Sequence, residues 1–234
     1  MKKFYKYFYT LCLFVAITSC SSDGNGIDDP SDDEPVIDKS LNRKGLGDSA
    51  HDLLSDDAYT SMNIEVLYVS GYQPTVAAMD NFKEFLEERS YKPDGISISY
   101  REVESSGLAP FEIQEIADIE DDKRSTFTVG DEISIYIYFA DGSNEDDTDE
   151  RYVLGSAYRN TSMVIYGKTI EKFAARVNAP SKSVIETAVL NHEFGHLFGL
   201  VNVGTELQSD HEDAESDGHC TEENCLMRAS LEFG

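Results

Sequence analysis

The chain has 234 residues, enough for one domain and a tail, and a formal net charge of −26. Charge of that sign repels phosphate, which excludes nucleic acid as a partner and electrostatic binding to anionic lipid. A 40% hydrophobic content supplies a packed core, so the excess acid belongs to the surface and the tail.

The N-terminus reads as a targeting segment. Lys2, Lys3 and Lys6 precede an apolar run from Phe8 to Ile17, too short to span a bilayer as a stable helix. Ile17-Thr18-Ser19-Cys20 resembles the lipobox of bacterial lipoproteins. That resemblance implies a signal peptide over residues 1–19, lipidation of Cys20, and attachment to the cell envelope through the lipid alone, on the periplasmic or the cell-surface side of the outer membrane. Asp23, Asp28, Asp29, Asp32, Asp33, Glu34 and Asp38 then sit among Ser, Gly, Asn and Pro, so residues 20–48 are expected to be a disordered acidic tether. The folded domain is expected over 49–234.

Residues 62–69 read as a strand, and Thr75 to Arg89 as a helix with Val76, Met79, Phe82 and Leu86 facing inward. Ile96 to Val103 alternates like a half-buried strand, and Phe111 to Ile119 reads as a short helix. Ile133 to Phe139 is the strongest strand pattern in the chain. An acidic loop from Asp141 to Glu150 separates it from two short strands, Val153–Tyr158 and Ser162–Tyr166. A helix from Thr169 to Val177 leads into another, begun by a capping box at Ser183-Val184-Ile185-Glu186 and stopped at Gly199. The order β-α-β-α-β-β-β-α predicts one layered α/β domain with crossover helices.

The last helix carries His192-Glu193-Phe194-Gly195-His196, the pattern H-E-x-x-H. Residues four apart project from one helical face, so His192 and His196 can hold one metal ion with Glu193 beside it. A catalytic zinc needs a third protein ligand. His219 and His211 are the main candidates, and Asn202 is a weaker one.

The run from His192 to Gly199 resembles the first part of the metzincin motif, H-E-x-x-H-x-x-G-x-x-H. The third His of that motif is here Asn202. However, His219-Cys220-Thr221-Glu222-Glu223-Asn224-Cys225-Leu226-Met227 resembles the next part in matrix metalloproteinases and archaemetzincins, where the third His lies eight residues before the Met of the Met-turn. The resemblance implies an insertion from Val201 to Gly218, a zinc site of His192, His196 and His219, and Met227 as an apolar floor. It also implies a twisted mixed sheet with crossover helices, an active-site helix and a small C-terminal part. The strand at Gly155, Ser156 and Ala157 would form the upper rim of a substrate cleft. Where some metzincins carry a Tyr two residues after the Met, this chain has Ala229.

Cys220 and Cys225 are the cysteines left once Cys12 departs with the signal and Cys20 is lipidated. Outside the cytoplasm a disulfide is expected, with zinc ligation as the rival. The acids of the insertion and of the 141–150 loop suit calcium by ligand type, but neither follows the EF-hand spacing, so solvated loops are expected. The expected activity is zinc-assisted hydrolysis of a peptide or protein by a monomer, with Glu193 as general base. The alternatives are a surface-anchored binding module with a structural zinc, or an inactive metzincin-like protein.

Overall fold

The structure, a computed structural model, describes residues 37–230. The expected signal peptide, Cys20 and most of the expected tether lie outside the described residues. Five strands, β1 (Ser61–Val69), β2 (Gly95–Val103), β3 (Glu132–Ala140), β4 (Gly155–Arg159) and β5 (Ser162–Tyr166), form one sheet in the order β2-β1-β3-β5-β4. The first four positions in that order are parallel, and β4 closes the far edge antiparallel to β5. The fold is thus mixed α/β, as the element order predicts.

Alternation along the strands sends side chains to two cores. Ile133, Ile135, Ile137 and Phe139 of β3 face α2 (Val76–Arg89) and α5 (Lys182–Leu197), together with Ile64, Val66, Met163 and Ile165. Tyr136, Tyr138 and Ala140 face the other way, onto Phe111 and Ile116 at α3 (Ile113–Lys123). Burial on both faces explains why β3 reads as a near-continuous apolar run. A five-residue helix, α1 (Ala50–Leu54), precedes β1, and α4 (Gly167–Ala174) links β5 to α5. Among the described residues no helix is long and apolar enough to cross a membrane.

Three expectations need correction. Val76, expected on the inner stripe of α2, is 76% exposed. The folded part begins before residue 49. A 3-10 turn at Lys39–Asn42 carries Asn42 into the interior, where its side-chain N–H groups donate to the Ser134 carbonyl at 2.9 Å and to the hydroxyls of Thr128 and Thr161. Its side-chain oxygen accepts the Thr128 N–H at 2.8 Å. A polar segment with little apolar content is therefore held by hydrogen bonds rather than by hydrophobic burial. The start of α5 also differs. Ser181, not Ser183, caps it, and Glu186 turns away to accept the backbone N–H and the hydroxyl of Thr75 at 3.0 and 2.6 Å. Glu186 is buried, and joining the second turn of α5 to the N-cap of α2 satisfies a carboxylate that a local box would leave in the core.

Candidate active site

The site is built on the C-terminal half of α5. Ile185, Val189, Leu190, Phe194 and Leu197 bury one face against the sheet and α2, with Phe82 packed edge-on to Phe194 at 5.5 Å. This fixes the roll of the helix and turns His192 and His196 toward β4. After Leu197 the chain leaves the helix through Gly199, at φ +72°. It makes a loop through the 201–218 segment and returns with His219. The imidazole centroids of His192, His196 and His219 lie 5.0, 4.9 and 5.2 Å apart, and one nitrogen from each falls within 4.8 Å of the others.

His211 and Asn202 do not join this group. The His211 carbonyl accepts the Thr221 N–H at 3.0 Å, and its Nδ1 lies 2.9 Å from the Ser209 carbonyl. The adjacent Glu212 pairs with Cys220 as a short antiparallel bridge. The loop thus doubles back, with His211 on the outgoing limb and His219 at the return. Asn202 reaches toward Glu212 instead, at 3.4 Å.

A backbone carbonyl fixes the His192 tautomer. A carbonyl only accepts, so the Nδ1 of His192, 2.8 Å from the Leu226 oxygen, must carry the proton. The Nδ1 of His219 lies 3.0 Å from the Asp217 carbonyl, to which it can donate, and 3.1 Å from the Ser216 hydroxyl. With the Asp217 carbonyl accepting, both Nε2 atoms of the neutral rings are bare lone pairs, and they face each other at 3.3 Å. Two lone pairs at that distance repel unless a cation lies between them. Zinc–nitrogen bonds of about 2.0–2.1 Å at tetrahedral angles put ligand nitrogens about 3.3–3.4 Å apart, so the donor set fits zinc. His196 supplies the third imidazole; its Nδ1 is buried without a hydrogen-bond partner.

Burial pushes the His196 imidazolium down to about 3, helped by the nearby rings of His192 and His219, and burial lowers His192 as well. His192 and His196 are therefore held neutral, the form in which imidazole binds a metal. Glu193 is buried next to them, and desolvation pushes its carboxyl up to about 8. A single N–H, from Ala157, offsets this in part by donating to the carboxylate at 2.9 Å.

Met227 lies under the helix, 2% exposed, packed with Val201 and Cys220. A Cβ added at Gly195 would lie 2.3 Å from the Met227 sulfur, so the glycine allows this approach. Sequence reasoning named Met227 but missed Gly195. The signal was present, because glycine inside a helix costs about 0.5–1 kcal/mol relative to alanine and calls for a packing reason. The carbonyls of Leu226 and Asp217 and the N–H of Ala157 left no such signal, since backbone groups are common to every residue.

A cleft of about 690 Å³ opens over the three imidazoles. Gly155, Ser156 and Ala157 of β4 form one wall, and Leu154, Phe173 and Val189 contribute apolar surface. The expected Cys220–Cys225 disulfide is not formed: both are free thiols. The Cys220 sulfur instead accepts the Glu222 N–H at 3.4 Å and makes a hydrogen-bond contact with the Cys225 thiol. The loop is closed by its backbone, with Cys220 N–H donating to the Met227 carbonyl at 2.7 Å. For calcium, the acidic loops bring together no metal-binding group among the described residues, where the three histidines are the one such cluster. Asp147 accepts the Val153 N–H at 2.8 Å and serves its own loop.

No family model and no curated protein matches this chain. The solved structures that are similar in part include the following two. An archaemetzincin from Methanopyrus kandleri shares 19% identity over 73% of this chain and 82% of its own, with a TM-score of 0.45. A zinc-dependent peptidase from Methanocorpusculum labreanum shares 15% identity over 70% and 87%, with a TM-score of 0.43. Likeness at this level carries no functional weight, and the chemistry rests on the site itself.

Proposed function

We propose that the chain is a zinc-dependent endopeptidase of metzincin type, tethered outside the cytoplasm by a lipid on Cys20. The observation that carries this reading is the pair of Nε2 atoms of His192 and His219, 3.3 Å apart beside a third imidazole and a buried carboxyl. His192, His196 and His219 would hold the zinc, which supplies Lewis acidity for a scissile carbonyl and acidifies water when bound. Three neutral ligands leave the ion its full double charge.

Glu193 takes the proton of the attacking water on a carboxylate oxygen and hands it to the leaving amine. Its raised affinity for a proton suits that shuttle. The free edge of β4 receives an extended substrate strand. The Leu154 carbonyl accepts from Tyr166 on β5, so alternation turns the backbone groups of Gly155 and the carbonyl of Ala157 outward to the cleft, while the Ala157 N–H is held by Glu193. A structural zinc site would be closed by a fourth ligand and would not require Glu193. Here the three histidines and Glu193 all line the cleft.

Glu193→Gln tests the reading. The variant is expected to keep about one zinc per chain while peptide hydrolysis falls by about 10²–10⁴-fold. Hydrolysis at the wild-type rate, or a wild-type chain that takes up no zinc, overturns it. Anchoring is tested separately: Cys20→Ser should leave the membrane fraction or remain unprocessed.

A further inference from the structure

We infer that Gly155 is a positioning residue for Glu193: its missing side chain is the slot in which the carboxylate is held. This rests on the peptidase reading for its consequence, but its geometry stands alone. A Cβ built on Gly155 would lie 2.8 Å from Glu193 Cγ, 2.9 Å from Glu193 Oε1 and 2.8 Å from Val189 Cγ1. All three distances are shorter than carbon contacts allow. The neighbours cannot yield easily. Val189 is buried in the main core, and Glu193 is fixed at its other oxygen by the Ala157 N–H at 2.9 Å.

The small residues of β4 thus serve the helix beneath the strand. Gly155 lets the edge strand and α5 approach closely enough for Ala157 to grip the carboxylate. It follows that the Ala157 N–H is already taken and is not offered to a substrate backbone. A methyl group at 155 would push the carboxylate out of line with the three imidazoles while leaving them in place. The loss should then appear in turnover rather than in substrate binding or metal uptake.

The test compares the full-length zinc-loaded wild type with Gly155→Ala, and with Gly155→Ala/Val189→Ala in which one of the two obstructions is removed. Zinc content, kcat and KM, and hydrogen exchange at the Ala157 amide are measured. Gly155→Ala should keep its zinc, lose about 10–100-fold in kcat with KM within about 2-fold, and lose protection at the Ala157 amide. The double variant should recover part of both. Glu193→Ala should expose the same amide, which ties the protection to the carboxylate. The inference fails if Gly155→Ala turns over like wild type with the Ala157 amide still protected. It also fails if neither variant folds, since the methyl would then act on the fold and not on the carboxylate. A wild type that binds zinc yet cleaves no peptide defeats the peptidase reading instead, and the amide comparison still judges Gly155.

Discussion

Helix propensity and local packing disagree at Gly195. Alanine is favoured over glycine by about 1 kcal/mol inside a helix, so Gly195→Ala should stabilise α5 if nothing else acted. Its methyl would meet the Met227 sulfur at 2.3 Å, and packing decides the sign. Gly195→Ala is expected to lower stability by about 1–3 kcal/mol and to weaken zinc binding, as thermal melts and zinc titration would reveal. An increase in melting temperature with unchanged zinc affinity would contradict this. Two buried groups set the pH behaviour of the metal-free protein. Glu193 is pushed up to about 8, so between the ordinary carboxylate range and pH 8 the folded state holds a proton the unfolded state has lost, and stability falls as pH rises. His196 is pushed down to about 3, so below about pH 6.5 the unfolded state takes a proton the folded state refuses, and stability falls as pH drops. Chemical denaturation of metal-free Glu193→Gln should lose the first slope and keep the second. Retention of the first slope would assign it to another group. At this scale His192, Glu193 and His196 were legible because helical spacing converts directly into geometry. The groups that orient them were not, because they are backbone carbonyls and an N–H.

The elements differ in how they could be read. β1, β3, α2 and α5 were legible because each buries a face, and burial imposes a period on the sequence. The segment before α1 escaped that logic. It enters the fold through the Asn42 amide and through Asn160, which donates to the Leu41 carbonyl and accepts the Lys44 N–H, and isolated Asn residues have no pattern. Asn42→Ala would leave the Thr128 N–H without its partner in the interior, while the Ser134 carbonyl would keep the Arg124 guanidinium at 2.7 Å. A loss of about 1–3 kcal/mol in urea unfolding is expected. No change would mean that the buried Asn42 amide contributes nothing to the domain. The cap of α5 was misplaced by two residues for a related reason. Ser183 carries the capping-box signal, but the buried Glu186–Thr75 link draws its Glu away from the helix start and leaves Ser181 as the cap.

The whole molecule is a mixed sheet whose antiparallel edge strand borders the cleft, with the metal-ligand candidates gathered from one helix and one returning loop. The sheet order was not written in the sequence, since it depends on how non-adjacent strands choose partners. The return of His219 was legible only through its spacing to Met227, because the 201–218 loop has no periodicity to reveal its path. The strong negative charge acts at this scale too. Self-repulsion among 45 acids against 19 bases should be screened by salt, so melting temperature is expected to rise between about 10 and 200 mM ionic strength. A fall over that range would mean that specific ion pairs outweigh the repulsion. The central claim is that the returning loop completes a three-histidine zinc site, and zinc titration of His219→Ala beside His211→Ala tests it most directly. His219→Ala should bind zinc more than about 100-fold more weakly and lose hydrolysis, while His211→Ala should match wild type in both. Zinc retained by His219→Ala and lost by His211→Ala would contradict the account.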